Sequence, residues 1–522
     1  FYKMQLTLEK LKQSGALEEL RFINRGIEKE SLRILNSGEL SKKPHPKSLG
    51  SALTNPYVTT DFSESLLELI TPTFNDAQSC LNFLTDLHTF VYNNIEDEIL
   101  WPCSMPCPMD NQEDIPIGNY GMSNAGMMKT VYRRGLSKRY GSMMQTIAGI
   151  HYNFSFSDKF FNILLSLEEK ENEKELKNEV YLHVARNFKR YGWLYFFLYG
   201  ASPAVCDSFV GEAAHELDTL PTGGLYKPNA TSLRMGDLGY ISKAQDELNI
   251  SYNTIDDYCF DLGKALTTNY KDYQEIGEFE DNERIQLNTS LIQIENEYYS
   301  TVRPKRVCPS GKKPIDILRE EGIDYLELRC VDLDPFSPIG IQRDQIDFMD
   351  TLLIYCLLNE SPPIDDDEAG IIKSNHENII NNGRSLGQNI LLNGRTGTAA
   401  SFAEEILSDL KEISAFAGEV VFKNEQNNWK ESIALQIKKL ENLDETLSGK
   451  VLSTMIQNNQ SFKEFGLKLA NSHSRDFKTT LSHRDDLFEQ AAKESLKKQE
   501  IIESEDNPEF ETFLKGYFNQ TA

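Results

Sequence analysis

The most informative pattern in the chain is a strand-like alternation whose polar side is acidic. In Arg25-Gly26-Ile27-Glu28-Lys29-Glu30-Ser31-Leu32-Arg33, a period of two puts Glu28, Glu30, Leu32 and Ile34 on one face and Ile27, Lys29, Ser31 and Arg33 on the other. The flanking apolar residues predict a strand. Uncompensated carboxylates are costly to bury, so this face is expected to meet water, cations or basic side chains. Similar acidic faces recur at three places downstream. In Val58–Pro72, Thr60 or Asp61 can cap a short helix that Pro72 stops, and Asp61, Glu64 and Glu68 then form one stripe at i, i+3 and i+7. Leu291-Ile292-Gln293-Ile294 reads as a short strand running into Glu295 and Glu297; Arg303, Lys305 and Arg306 follow closely, so ordinary ion pairing is expected there. Tyr325–Asp332 reads as a strand with Glu327 and Arg329 on one face, opposite Leu326, Leu328 and Cys330. That Glu/Arg pair suits a structural ion pair, or equally one metal ligand and one phosphate clamp.

The other elements follow from the same periodicities. Residues 5–20 predict an amphipathic opening helix carrying Leu8, Leu11, Leu17 and Leu20, and 35–50 a loop. Cys80–Glu96 predicts a second amphipathic helix. Cys103 and Cys107 lie four apart in a proline-rich loop, without the second Cys/His pair a zinc site would need; with the polar run 110–114, that loop is a candidate lid. Residues 129–141 are the densest basic cluster, and Lys129, Arg133, Arg134, Lys138 and Arg139 suit either phosphates or a solvated helix face. Gly149–Ser155 alternates with His151, Asn153 and Ser155 on one face. Residues 160–200 predict helix, 229–240 a polar loop presenting Arg234, 341–358 a buried helix and 362–399 a loop. Phe402, Ile406, Leu410 and Ile413 mark a further helix, with two or three more to follow.

Composition narrows the function. Against 54 Lys and Arg stand 80 Asp and Glu, a net charge of −26, which argues against a nucleic-acid partner. The longest apolar runs, Trp193–Tyr199 and Leu352–Leu358, fall far short of the roughly 20 residues of a membrane span, and the first twenty residues lack the apolar core of a secretory signal. Eight scattered cysteines read as reduced thiols of a cytoplasmic protein. Without the ion-paired face, the acidic faces and the strand histidine leave Glu28, Glu30, Asp61, Glu64, Glu68, His151 and Glu327. So oxygen-rich a set points to Mg²⁺ or Mn²⁺ held in part by nucleotide phosphates. No P-loop or dinucleotide fingerprint appears, and metal-clustered carboxylates beside arginines suit phosphoryl transfer.

Segments Arg25–Arg33, Gly50–Pro72, Trp101–Pro106, Lys129–Ser155, Ala201–Pro203, Ala230–Tyr240, Gln293–Arg306 and Gly322–Gly340 closely resemble the bacterial glutamate–cysteine ligases (γ-glutamylcysteine synthetases). The likeness runs over most of residues 1–340 and is slight beyond about 360. It implies an α+β, glutamine-synthetase-like fold: a largely antiparallel sheet forming a funnel, surrounded by helices, with a helical C-terminal part. The whole chain would be one catalytic unit, with its core over about 20–340 and helices over about 396–522. The implied reaction is ATP-dependent ligation of L-glutamate to L-cysteine through a γ-glutamyl phosphate, the first step of glutathione biosynthesis. By the same resemblance, Glu28, Glu30, Asp61, Glu68, His151 and Glu327 are metal ligands for Mg²⁺, with Mn²⁺ as a substitute, and Glu64 lies behind them. Arg329 faces the transferred phosphoryl group with Arg133 as helper. Arg234 holds a substrate carboxylate, and Phe62, Tyr132, Gln145, Tyr240 and Tyr299 line the cysteine pocket. The protein is expected to be a cytoplasmic monomer, subject to feedback by glutathione. Two rivals remain: a carboxylate–amine ligase using another amine, and a non-catalytic acidic scaffold.

Overall fold

The computed structural model describes residues 6–109, 111–211, 215–239, 243–246, 248–309, 311–423, 425–505 and 508–519. Its centre is a seven-stranded antiparallel sheet. The strands are β1 (Asn24–Leu35), β2 (Val58–Thr60), β3 (Leu66–Ile70), β4 (Glu98–Leu100), β5 (Ile150–Ser155), β6 (Val302–Lys305) and β7 (Tyr325–Val331). Their order is β6-β7-β5-β1-β3-β2, with β4 paired to the end of β1. The α+β expectation therefore holds, and the acidic strand lies in the middle of the sheet.

The alternation in β1 separates two chemistries. Its odd-numbered face turns to the interior, where helices α1 (Ala77–Asn94), α3 (Glu173–Tyr191) and α4 (Arg343–Leu358) bury the sheet; α2 (Asn124–Tyr140) lies on the other side. Asp76 caps α1 by accepting from the Ser79 amide, and a Gln342/Gln345 capping box opens α4. The odd face is itself charged, and both of its arginines are paired with carboxylates. Arg33 is fully buried and reaches both Glu98 oxygens at 2.7 Å. Arg25 binds Asp350, which also accepts from the Tyr152 hydroxyl at 2.7 Å. Among the described residues Lys29 has no carboxylate in hydrogen-bond contact: its Nζ lies 2.5 Å from Ser31 Oγ and donates to His88 Nε2 at 3.0 Å, and burial pushes its pKa down to about 7. Breaking one member out of a buried pair such as Arg33–Glu98 typically costs about 3–5 kcal/mol.

Several expectations are corrected. Val58–Pro72 is a hairpin, β2 and β3, not a helix. The spacing of Asp61, Glu64 and Glu68 fits a helix as well as it fits two strand ends, and pairing with β1 decides, placing Glu68 directly opposite Glu30. Glu64 lies in the connecting turn, where it accepts from the backbone amides of His45 and Asn119 at 2.6 and 2.5 Å. The opening helix breaks at Gly15, which adopts φ +81°, into Leu8–Ser14 and Ala16–Glu19. Leu291–Ile294 is irregular rather than a strand. The segment Trp101–Met109 is no lid: it is core, with Cys103 and Cys107 buried as unpaired thiols and Trp101 donating to the Met105 carbonyl.

Residues 362–399 are not a loop. They form α5 (Asp366–Asn382) and the hairpin Asn389–Leu392/Arg395–Thr398. Asp365 caps α5, its first turn is acidic as the helix dipole favours, and Ile372, Ile379 and Ile380 are buried on one side. Beyond them, six helices rather than three or four follow among the described residues: Ala399–Phe422, Asn428–Glu441, Leu447–Gln457, Phe462–Thr479, α6 (Asp485–Glu505) and α7 (Phe510–Phe518). Among the described residues no helix is long and apolar enough to cross a membrane.

Candidate active site

The even-numbered face of β1 is the floor of a cavity of about 680 Å³. Strand register decides what meets there. Glu28 pairs across with His151 on β5, Glu30 with Glu68 on β3, and Asn153 of β5 with Glu327 on β7. Segments hundreds of residues apart thus place Glu28, His151 and Glu327 with ligand atoms all within 4.8 Å of one another. His151 Nδ1 lies 3.0 Å from Glu28 Oε2 and 3.8 Å from Glu327 Oε1, and its Nε2 lies 3.9 Å from Glu30 Oε1. Asn153 donates to Glu28 Oε1 at 2.9 Å, and the Gly149 amide donates to Glu30 Oε2 at 2.7 Å. Asp61 and Glu68 complete the acidic lining.

The electrostatics divide these groups. Burial pushes the Glu30 carboxyl up, and Asp61 adds to the shift. Glu68 rises well above the carboxylate range, first by burial and then by repulsion from Glu28, Asp61 and Glu30. Glu28 is pushed up by burial too, but the His151 hydrogen bond and charge outweigh it and hold the carboxyl low. Glu327 is also held well below the usual carboxylate range: burial opposes ionisation, yet Lys305, Arg329, His151 and Arg303 overcome it. Three of those cations surround its Oε2, Arg329 at 3.5 Å, Lys305 at 3.6 Å and Arg303 at 4.0 Å. That oxygen is buried and has no hydrogen-bond partner among the described residues. The other oxygen, Oε1, faces His151, and a cluster of carboxylates and one imidazole fits a hard divalent cation, for which these are the preferred donors.

Cationic side chains form the upper part of the cavity. The basic cluster divides by helical spacing. Lys129 and Arg133, one turn apart on α2, face the cavity. Arg133 stacks over the Tyr120 ring at 4.3 Å and donates to the Asp61 carbonyl and, at 2.9 Å, to the Lys129 carbonyl. Burial, with Arg133 nearby, lowers the Lys129 pKa to about 8. Lys138 and Arg134 instead pair at the surface with Glu280 and Glu283. Arg139 is buried against Glu297 at 2.9 Å, so the ion pairing expected around Glu297 exists with Arg139, from the basic helix, as partner.

Arg329 and His151 also line a second cavity, of about 460 Å³, together with Arg234, Tyr299, Met235 and Gln245. The two cavities meet at Arg329, His151 and Tyr299. Phe62, Tyr132, Gln145 and Tyr299 all line the first cavity, and Gln145 donates to the Tyr299 hydroxyl at 3.4 Å. Arg234 is almost fully buried, donating to the Arg329 carbonyl at 2.9 Å and pairing with Asp332 at 3.4 Å. It packs over Gly149, where a Cβ would stand 2.0 Å from its Nη2, so only glycine fits there. Tyr240 lies outside the described residues. Sequence reasoning missed the wall formed by α5, with Ile372, Lys373, His376 and Glu377 on the second cavity, because a polar Asn- and Gly-rich composition masked the helix. It also assigned Lys305 to Glu295 and Glu297, whereas the β6–β7 pairing turns it to Glu327.

Comparison with known proteins gives one answer. The profile of the family described as Glutamate-cysteine ligase matches residues 8–379. The glutamate–cysteine ligase of Pseudomonas fluorescens is 41% identical over 495 residues, covering 94% of this chain and 92% of that protein. That of Alcanivorax borkumensis is 40% identical over 524 residues, covering 99% of each. Sequence similarity therefore continues well past residue 360, against the expectation of only slight likeness there. The crystal structure of the glutamate–cysteine ligase from Francisella tularensis in complex with AMP superposes with a TM-score of 0.88 at 32% identity, covering 95% of this chain and 97% of that one. A bifunctional glutathione synthetase from Pasteurella multocida shares the fold, with a TM-score of 0.70 at 24% identity over 94% of this chain and 58% of that one.

Proposed function

The chain belongs to the glutamate–cysteine ligase family, and from that premise we propose how its residues carry the reaction. ATP drives the joining of the L-glutamate γ-carboxylate to the L-cysteine amine, giving γ-glutamylcysteine, ADP and phosphate, the first step of glutathione synthesis. Glu28, His151 and Glu327, with Glu30, Asp61 and Glu68 beside them, would hold Mg²⁺, or Mn²⁺ in its place, and the ion when bound neutralises phosphate oxygens.

The remaining work falls to this chain's own side chains. Arg329 stands where the two cavities meet, and its planar fork can hold two oxygens of the phosphoryl group in transit. Lys305, Lys129 and Arg133 supply positive charge for the rest of the phosphate chain. The phosphoryl group passes to the glutamate γ-carboxylate, and the cysteine amine attacks the resulting acyl phosphate, losing a proton as phosphate leaves. Tyr299, Gln145, Tyr132 and Phe62 shape the space around the cysteine, with Arg234 braced behind Arg329. Positioning and charge neutralisation are the main contributions a protein makes to such a transfer. The chain works as one catalytic unit and as a monomer, a reading supported by a cavity lined by residues from Glu28 to Tyr517 of this one chain. Seven buried, unpaired cysteines and one half-buried suit a reducing cytoplasm. Glutathione contains the γ-glutamylcysteine unit and would compete for the same space as feedback inhibitor.

One observation carries the reading: the convergence of Glu28, His151 and Glu327 from three adjacent strands beside Arg329, at the junction of two cavities. It is tested by ADP release with glutamate and each of several amines in turn. Release that requires Mg²⁺ or Mn²⁺ and is fastest with cysteine is expected. Release indifferent to cysteine would overturn the choice of amine, and the absence of glutamate-dependent release would overturn the ligase reading.

A further inference from the structure

Lys129 and Arg133 face the first cavity from α2, and among the described residues neither is in ion-pair contact with a carboxylate. Like charges one helical turn apart repel, so something other than charge pairing must hold these two in place. What they share is one ring. The Arg133 guanidinium lies 4.3 Å from the centre of the Tyr120 ring, and the Lys129 ammonium 5.2 Å from it. The negative face of an aromatic ring attracts a cation without neutralising it, so both charges stay available to an anion in the cavity.

The other end of Tyr120 meets the acidic wall. Its hydroxyl donates to the Thr60 and Asp61 carbonyls, each at 2.7 Å, and accepts from the Thr60 hydroxyl at 3.0 Å. The Asp61 carbonyl accepts from Arg133 as well. Thr60 ends β2, and Asp61 follows it with its side chain on the cavity. One residue, only 1% exposed, therefore touches the strand end that presents a carboxylate and the helix that presents two cations. Tyr120 is pinned from both sides along the chain. The Gly118 amide donates to the Phe62 carbonyl at 2.9 Å, the Asn119 amide to Glu64 at 2.5 Å and the Met122 amide to Glu503 of α6 at 2.8 Å. Gly126 of α2 packs on the Tyr120 carbonyl so closely that a Cβ would stand 2.3 Å from it.

We propose that Tyr120 is a positioning residue for the phosphoryl transfer, its hydroxyl fixing Asp61 at the metal cluster and its ring fixing Lys129 and Arg133 toward the phosphates. This rests on the ligase reading, which gives Asp61 to the metal and the two cations to the phosphate chain. A carbonyl held by two donors fixes the peptide plane from which the Asp61 side chain sets out, and a ring held at both ends limits how far the cations can swing. A displacement of about 1 Å among groups that act on a reacting centre can cost about a hundredfold in rate.

The test uses the full chain with Tyr120→Phe, which removes the hydroxyl and keeps the ring, and with trifluorophenylalanine at position 120, which keeps that shape and draws electron density from the ring face. Difluorotyrosine at the same position repeats the ring test with the hydroxyl in place, in case its loss loosens the fold. Melting curves give the folded fraction, and ADP release gives the Mg²⁺ concentration for half-maximal rate and the inhibition constant of inorganic tripolyphosphate. Tyr120→Phe should raise the Mg²⁺ requirement about fivefold, as for one lost hydrogen bond, with tripolyphosphate inhibition within about twofold. Trifluorophenylalanine should weaken tripolyphosphate inhibition about fivefold beyond Tyr120→Phe, and difluorotyrosine about threefold from the parent, each without a further change in the Mg²⁺ requirement. A tyrosine that only supports the fold would lower kcat through lost folded protein and leave both constants where they were. That result would overturn the inference, as would constants that move together in every variant. Wild-type protein that releases no ADP with glutamate and cysteine would instead overturn the ligase reading; Mn²⁺ and tripolyphosphate binding to the same proteins, measured by calorimetry, then decides the positioning on the same two constants.

Discussion

The crowding of carboxylates on β1 and β3 sets stability against function, and Glu68→Gln measures the conflict. Glu68 lies directly across from Glu30 in the β1–β3 register and feels Glu28 and Asp61 as well. Two like charges about 5 Å apart in a medium of effective dielectric about 20 repel by about 3 kcal/mol. Glutamine fills the same space without the charge, so at pH 8 and in the absence of divalent metal the variant should be more stable than the parent by about that amount. For a cooperative unit of 522 residues, an unfolding entropy of about 2.1 cal/mol/K per residue converts this to about 3 °C in Tm. The sign with pH follows from linkage. Burial and repulsion raise the carboxyl in the folded state, so the folded protein binds the proton more tightly than the unfolded chain. The penalty in the parent is absent below the ordinary carboxyl range, about pH 4.3, and grows as pH rises through the folded value. The advantage of the variant should therefore be present at pH 8 and fade on acidification. Adding Mg²⁺ should close most of that gap, because an ion that binds only the folded state stabilises it by about 2.7 kcal/mol at a hundred times its dissociation constant, and the variant has lost a donor. Thermal melting with and without 10 mM-scale Mg²⁺, alongside ADP release, reads all of this. A Glu68→Gln protein that melts below the parent without metal, or gains as much as the parent from Mg²⁺, would refute the reasoning.

Other consequences can be measured in the same way. Arg329→Lys keeps the charge and loses the fork, so kcat should fall on the order of a hundredfold with Tm nearly unchanged; normal turnover in a protein that melts several degrees lower would make Arg329 a structural partner of Glu327 alone. Tyr299→Ala should raise KM for cysteine more than KM for ATP or glutamate, since it removes shape and a hydroxyl from the cysteine side, and a collapse of ATP use with cysteine use intact would relocate the pocket. His183 is buried, with Nε2 donating to the Asn359 carbonyl at 2.8 Å, and burial followed by Arg186 lowers its pKa to about 4. The unfolded chain takes up that proton near pH 6.5, so stability falls as pH drops from about 6.5 toward 4. His183→Gln, which retains a donor, should recover about 2–3 kcal/mol at pH 4.5; an acid-unfolding midpoint identical to the parent's would show that His183 plays no part.

How much was legible depended on the distance over which the signal acts. The acidic face of β1, the His151 face of β5 and the Glu327/Arg329 face of β7 could be read because a two-residue period is a local property. Val58–Pro72 was misread because three carboxylates at i, i+3 and i+7 satisfy a helix equally well, and only pairing with β1, more than thirty residues away, chooses the hairpin. Glu64 was grouped with its neighbours by charge, although its oxygens cap two loop amides. The partner of Glu297 was missed for the same reason: Arg303, Lys305 and Arg306 are near in sequence, while Arg139 is near in space. Phe513 and Tyr517 gave no sign at all, since an aromatic on an amphipathic helix looks the same whether it meets a core or a cavity.

The position of β7 has a consequence for synthesis. When the ribosome has made the chain as far as residue 155, β1, β2, β3 and β5 can already pair, and that partial sheet gathers Glu28, Glu30, Asp61 and Glu68 around a single histidine. The cations that face the cluster from the far edge, Arg303, Lys305 and Arg329, emerge more than 140 residues later. The half-built sheet therefore has only Lys129 and Arg133 of α2 to offset its carboxylates for much of translation, and the abundant divalent ion the finished site would use can supply the rest. A nascent chain of this kind should fold better where Mg²⁺ is plentiful, which makes the ion a participant in assembly before it is one in turnover.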